Sequence, residues 1–185
     1  MLVISCHADT NFTTHSLKKL PGGIIEGHLD NFAGVYTVMQ AYFSGKMNRD
    51  SVRIELTYGE EKGLLGAKEV AKTLKPDDIV LVVDVTGTPT QKDFVIEKCR
   101  EPKLQKFLKK ALKGLSYDLY AGCPDPISQS DEVDVYSKVC RYACFIGVPV
   151  TGGDYNAGTV RCRQRSLEAI TDALTQLPKA CSEFP

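Results

Sequence analysis

The chain has 185 residues, a length that one domain with a sizeable core accounts for. Its 23 Lys and Arg balance 23 Asp and Glu, leaving neither a basic field for nucleic acid nor an acidic tail. The 43% hydrophobic content is that of an ordinary globular protein, and the longest apolar runs, such as residues 79–83, are far too short to span a membrane.

Residues 2–6 read as a short buried strand, since this apolar start lacks the charge and length of a signal peptide. Residues 11–28 read as a long loop with a Pro-Gly-Gly turn at 21–23. A helix is expected from Asp30, with Asp30 or Asn31 as N-cap, through Phe32, Val35, Val38, Met39 and Tyr42, closing near Gly45. Residues 51–58 form the second expected strand and 64–74 the second helix, ended by Pro76. The β-branched run at 78–85 is the candidate for a central parallel strand buried on both faces. Beyond it, strands are expected at 94–98, 117–121 and 142–148, helices at 102–112 and 166–177, and loops at 123–131 and around Thr151-Gly152-Gly153. No repeat, charge block or change of composition divides the chain, so residues 1–185 are read as a single domain. Strands alternating with helices predict an α/β fold, a three-layer α/β/α sandwich on a mostly parallel mixed sheet.

The seven cysteines, at 6, 99, 123, 140, 144, 162 and 181, are odd in number and contain no Cys-x-x-Cys. They argue against a disulfide framework or a structural zinc site and suit a reducing cytoplasm. Cys6 beside His7 does not make a nucleophilic pair, because adjacent strand residues face opposite ways.

Three apolar strands end in groups able to hold a metal: His7 after the first, Glu60-Glu61 after the second, Asp84 at the third. Open α/β sheets gather their sites at the carboxyl ends of strands, and Asp30 starts a helix that can reach the same edge. One imidazole with several carboxylates is a mixed nitrogen and oxygen set suited to zinc, with cobalt and manganese as alternatives. Asp9, on the same side of an extended segment as His7, can orient the imidazole. The bland readings are a hydrogen-bonded structural His7, a capping Asp30 and a Glu60-Glu61 pair solvated at a helix start. Asp84 resists such a reading, since a lone buried carboxylate is costly. Asp131, Glu132 and Asp134 read as a solvated helix start. Arg161, Arg163 and Arg165 read as a surface face, with capture of a substrate carboxylate as the alternative.

Four segments together resemble the zinc-dependent exopeptidases and amidohydrolases related to aminopeptidase, carboxypeptidase and acetylornithine deacetylase. Ser5-Cys6-His7-Ala8-Asp9-Thr10 is similar to their His-x-Asp motif, and Gly27-His28-Leu29-Asp30-Asn31-Phe32-Ala33-Gly34 to their bridging-Asp segment. Tyr58-Gly59-Glu60-Glu61-Lys62-Gly63 is similar to their paired-Glu motif, and Val82-Val83-Asp84-Val85-Thr86-Gly87 to their next metal Asp. None is specific alone; the order of all four carries the resemblance. It implies that His7 and Asp84 bind one metal, Glu61 a second, and that Asp30 bridges them. It also implies that Glu60 is the general base for the attacking water and that the substrate is a peptide or an N-acyl amino acid.

The chain departs from that pattern in three places. The segment where relatives carry a last histidine ligand resembles residues 147–156, and Asn156 stands at the matching position. No histidine follows His28, and an amide oxygen is a weaker zinc ligand than imidazole. His28 or His15 is the remaining candidate to replace it. After Asp84 there is room for a strand, a helix and a strand but not for an inserted lid or dimerisation domain, and the chain begins almost at His7. A compact core, a shortened chain or a degenerate relative each accounts for this. Two function classes follow: a metal-dependent hydrolase, aminopeptidase-like, or a peptidase-like domain that has lost a ligand and serves binding or regulation.

Overall fold

The computed structural model describes residues 1–184. Six strands form the main sheet in the order β4 (Val52–Thr57), β1 (Leu2–His7), β5 (Ile79–Thr86), β8 (Tyr142–Pro149), β6 (Phe94–Glu97), β7 (Tyr117–Leu119). The first four run parallel, β6 is antiparallel to β8, and β7 is parallel to β6. The expected mostly parallel mixed sheet is thus present. All eight residues of β5 are buried, as the β-branched run required of a strand covered on both faces.

The pleat divides the core. Leu2, Ile4 and Cys6 of β1 and Leu81, Val83 and Val85 of β5 face one side, under α1 (Phe32–Phe43), α3 (Pro102–Ala111) and α5 (Gln164–Ala180). Val3, Val80 and Val82 face the other, under α2 (Leu65–Ala71) and α4 (Val133–Tyr136). Each fully buried aliphatic side chain in these layers contributes about 1.5–3 kcal/mol, and the alternation holds the strand register. Among the described residues, no helix is long and apolar enough to cross a membrane.

Two elements differ from the sequence reading. Residues 11–28 are not one loop: β2 (Leu17–Leu20) and β3 (Ile24–Gly27) form a hairpin around the Pro-Gly-Gly turn. With β9 (Val160–Arg163), also unexpected, they make a second, antiparallel sheet of three strands. These strands have four residues each and are largely half-exposed, so they carry little apolar periodicity to read. The closing helix starts two residues earlier and runs three residues longer than expected, with Pro178 inside its last turn.

Candidate metal centre

Parallel register builds the centre. Ser5 of β1 pairs with Val82 of β5, which brings His7 level with Asp84, two residues further along each strand. Asp30 arrives from the loop before α1, and the Asp30–Asn31 peptide is cis. Asn31 is the cap: its Oδ1 accepts the Gly34 backbone N–H at 3.0 Å. Its Nδ2 donates to the Val83 carbonyl at 2.9 Å and lies 3.3 Å from the Cys6 sulfur. Gly34 is required here, since a Cβ would lie 2.2 Å from Asn31 Oδ1 and 2.8 Å from the Val83 oxygen.

His7 Nε2 lies 3.1 Å from Asp30 Oδ1 and 3.1 Å from Asp84 Oδ2, and all three residues are buried. One donor atom from each lies within 4.8 Å of the others. Nδ1 of His7 stands 3.2 Å from the Asp9 backbone oxygen. A proton on Nδ1 satisfies that oxygen and leaves the Nε2 lone pair facing the carboxylates. Two acceptor oxygens and a lone pair converging without Lys or Arg call for a cation. The 3.1 Å separations are those of donors sharing one ion at bond lengths of about 2.0–2.2 Å. The donor set therefore fits zinc or a similar divalent ion. Without one, burial opposes the His7 imidazolium, but Asp84 and Asp30 push it up to about 12. Burial likewise pushes Asp84 up to about 7 against the pull of His7.

The paired acids sit on a turn that doubles back on β4. Gly66 N–H donates to the Tyr58 carbonyl at 2.8 Å and Leu65 N–H to the Gly59 carbonyl at 3.1 Å. A Cβ at Gly66 would lie 2.6 Å from Tyr58 N, so only glycine lets α2 start against the strand end. Glu60 enters the same pocket as His7, Asp30 and Asp84. Burial pushes its carboxyl up to about 8, aided by Asp84, Glu61 and Asp30 and opposed by His7. Glu61 is half-buried, accepts from Asn11 Nδ2 at 2.6 Å and stands outside the compact three-residue group. Burial and the Asp30 charge also raise its pKa. Asp9 faces both partners, with Oδ1 3.6 Å from His7 Nδ1 and 3.4 Å from the Glu60 backbone nitrogen.

Asn156 lines this pocket as well, but it is exposed and its backbone N–H and Nδ2 both turn to Asp154 Oδ1. His28 does not take its place: its ring stacks on Phe12 at 4.1 Å and its Nδ1 accepts the Ser16 N–H. His15 is exposed. Cys6 points away from the centre toward Asn31, and burial holds its thiol well above the ordinary range.

The acids at 131–134 are not a solvated helix start. Glu132 is buried beneath His7, where Ser5 Oγ donates to its Oε2 at 2.8 Å and Thr57 Oγ1 donates to its Oε1. Lys98, with a side chain 2% exposed, reaches the Gln129 carbonyl at 2.9 Å, Asp131 at 3.0 Å and Asp134 at 2.7 Å. It thereby holds the loop that forms the far wall of the pocket. Asp125 on that loop accepts from Gly87 N–H at 2.8 Å and from the Tyr155 hydroxyl at 2.9 Å. Arg161 and Arg165 pair with Glu26 and Asp93, and Arg163 donates to the backbone carbonyls of Gln91 and Lys92. None of the three enters the pocket, consistent with a surface face.

Residues 1–135 match the sequence pattern of peptidase family M28. The chain belongs to that family. No curated protein matches it. Among solved structures it is similar to an aminopeptidase from the archaeon Desulfurococcus kamchatkensis, with 19% identity and a TM-score of 0.72 over 92% of this chain and 54% of that one. It is also similar to the Pyrococcus horikoshii TET1 peptidase, which can assemble into a tetrahedron or a large octahedral shell; identity is 16% and TM-score 0.71 over 89% and 52%. An M18-family aminopeptidase from Thermotoga maritima follows, at 14% identity and TM-score 0.66 over 88% and 48%. At these identities the likeness establishes the fold, that of the zinc exopeptidases. The chain spans about half the length of the solved structures it matches.

Proposed function

We propose that residues 1–185 form a single catalytic-type domain of a metal-dependent hydrolase of peptide or acyl-amide bonds, aminopeptidase-like and cytoplasmic. The convergence of His7, Asp30 and Asp84 on one point, with Glu60 in the same pocket, carries this reading. Seven free thiols support the reducing compartment. His7 and Asp84 would hold one ion, Glu61 a second, and Asp30 would lie between them, with Asn156 at the remaining position. Bound there, zinc, cobalt or manganese supplies Lewis acidity toward the amide carbonyl and lowers the pKa of water. Asp9 fixes the His7 tautomer through its backbone oxygen. Glu60, in the same pocket as His7, Asp30 and Asp84, would act in its ionised form, taking the proton of the attacking water and returning it to the leaving nitrogen.

One observation favours a second reading, a domain that binds or regulates without hydrolysis: Asn156 is exposed and committed to Asp154. Metal content per chain after zinc loading and desalting, for the wild type and Asn156→His, separates the two. Two tightly held ions in the wild type support the hydrolase. One ion, rising to two in Asn156→His, supports a one-metal or degenerate centre. None in either protein refutes a metal hydrolase.

A further inference from the structure

The last bond between β1 and β4 runs from the Ala8 N–H to the Thr57 carbonyl at 2.9 Å, and the chain then leaves the sheet. Each of the next three residues reaches a different part of the centre. The Asp9 backbone oxygen stands 3.2 Å from His7 Nδ1, and its carboxylate 3.4 Å from the Glu60 backbone nitrogen. Thr10 Oγ1 donates to the Asp30 carbonyl at 3.0 Å. Asn11 Nδ2 donates to Glu61 Oε2 at 2.6 Å. That last bond occupies one carboxylate oxygen of Glu61 and leaves the other available as a ligand.

We propose that Thr10 and Asn11 are positioning residues of the metal centre, holding Asp30 and Glu61 in place for the second ion. The proposal rests on the hydrolase reading, in which Asp30 lies between two ions and Glu61 binds the second. His7 and Asp84 are buried on two paired strands, whose register already fixes them. Glu61 has no such frame: it is a long side chain, half-buried, on a turn outside the compact group. A hydrogen bond to a ligating carboxylate restricts its rotamers and directs its remaining lone pairs. The Asp30 backbone is gripped from both sides, by Thr10 on its carbonyl and by Asn31, next in the chain, on the Val83 carbonyl. Residues 9–11 therefore tie the strand end that carries His7 to the helix start that carries Asp30 and the turn that carries Glu60 and Glu61.

The two roles are separable. Asp30 belongs to both ions and Glu61 to one, so Thr10 acts on both and Asn11 on the second alone.

The test is zinc titration of the whole chain against a competing chelator, in the wild type and in Asn156→His, resolving the stoichiometry and the affinity of each ion. Urea unfolding of the chelator-treated protein confirms that each variant is folded. Asn11→Ala should weaken the second ion by about 10–100-fold and leave the first ion and the metal-free urea midpoint unchanged. Thr10→Val keeps the shape, removes the donor and should weaken both ions. Thr10→Ser returns the donor and should restore both. Where the wild type takes one ion, the Asn156→His background carries the measurement on the second. An Asn11→Ala that weakens neither ion, or both equally, overturns the proposal, and so does a Thr10→Ser that binds no better than Thr10→Val. A single ion in both backgrounds overturns it while leaving a one-metal hydrolase. No ion in either background defeats the hydrolase reading as well.

Discussion

The side chain of Asn31 joins two carboxylates it does not touch: its Nδ2 holds the Val83 carbonyl at 2.9 Å, and Asp30 directly precedes Asn31 while Asp84 directly follows Val83. The same side chain caps α1. Asn31→Ala should therefore lower zinc affinity by about 10–100-fold without removing a ligand, and should cost about 1 kcal/mol of stability through the lost cap. Asn31→Asp keeps the cap acceptor and loses the donor to Val83. It should retain the helix and still bind zinc weakly. Competition with a chromophoric chelator measures the affinity and urea unfolding the stability. Affinity unchanged in Asn31→Asp would mean that the Val83 bond does not position the centre.

Glu60 lies in the pocket without belonging to the compact group of His7, Asp30 and Asp84. Glu60→Gln should leave zinc stoichiometry unchanged and reduce hydrolysis of aminoacyl amides by about 10²–10⁴-fold. Loss of zinc together with activity would make Glu60 a ligand instead of a base.

Much of this centre was legible in the sequence because each member ends or begins a strongly patterned element. Asp84 closes a β-branched run, His7 closes an apolar strand, and Asp30 precedes a capped helix. The supporting groups were not legible. Glu132, at the start of α4, is buried against hydroxyls from Ser5 on β1 and Thr57 on β4, and nothing beside it in the chain announces them. Lys98 and Asp131 meet only through the fold, so their local pattern resembles any solvated charge cluster. The hairpin of β2 and β3 escaped because two lysines and half-exposed isoleucines give no clear alternation.

Lys98 is the buried counterion of the pocket wall, with Asp131 nearly buried and Asp134 partly open to solvent. Burial alone would depress its ammonium, yet Asp131 and Asp134 raise it above the ordinary lysine value. Lys98→Met keeps much of the volume and strands the two carboxylates. It should cost about 3 kcal/mol, the lower end for a broken buried pair because Asp134 can still reach water. The loop at 123–131 should become the first site of limited proteolysis. An unchanged cleavage pattern would mean that Asp125 and its partners alone hold the wall.

Glu132 supplies the pH dependence. Burial raises its carboxyl above the ordinary value, and the bonds from Thr57 and Ser5, with the His7 charge, only partly offset this. The unfolded chain releases this proton in the usual carboxylate range, and the folded chain releases it at higher pH. Between those two points the folded state binds more protons, so this group's contribution to stability is full below the unfolded pKa and is lost as pH rises through the folded one. Glu132→Gln removes that loss and keeps the shape. In chelator-treated protein, the urea midpoint of the variant should therefore gain on the wild type as pH is raised from about 4 to about 8. Ser5 lies 2.8 Å from the Tyr136 hydroxyl as well, so it has a second partner when the carboxylate is replaced. A variant that instead loses ground with rising pH would show that the two hydroxyl bonds to the ionised carboxylate outweigh its burial.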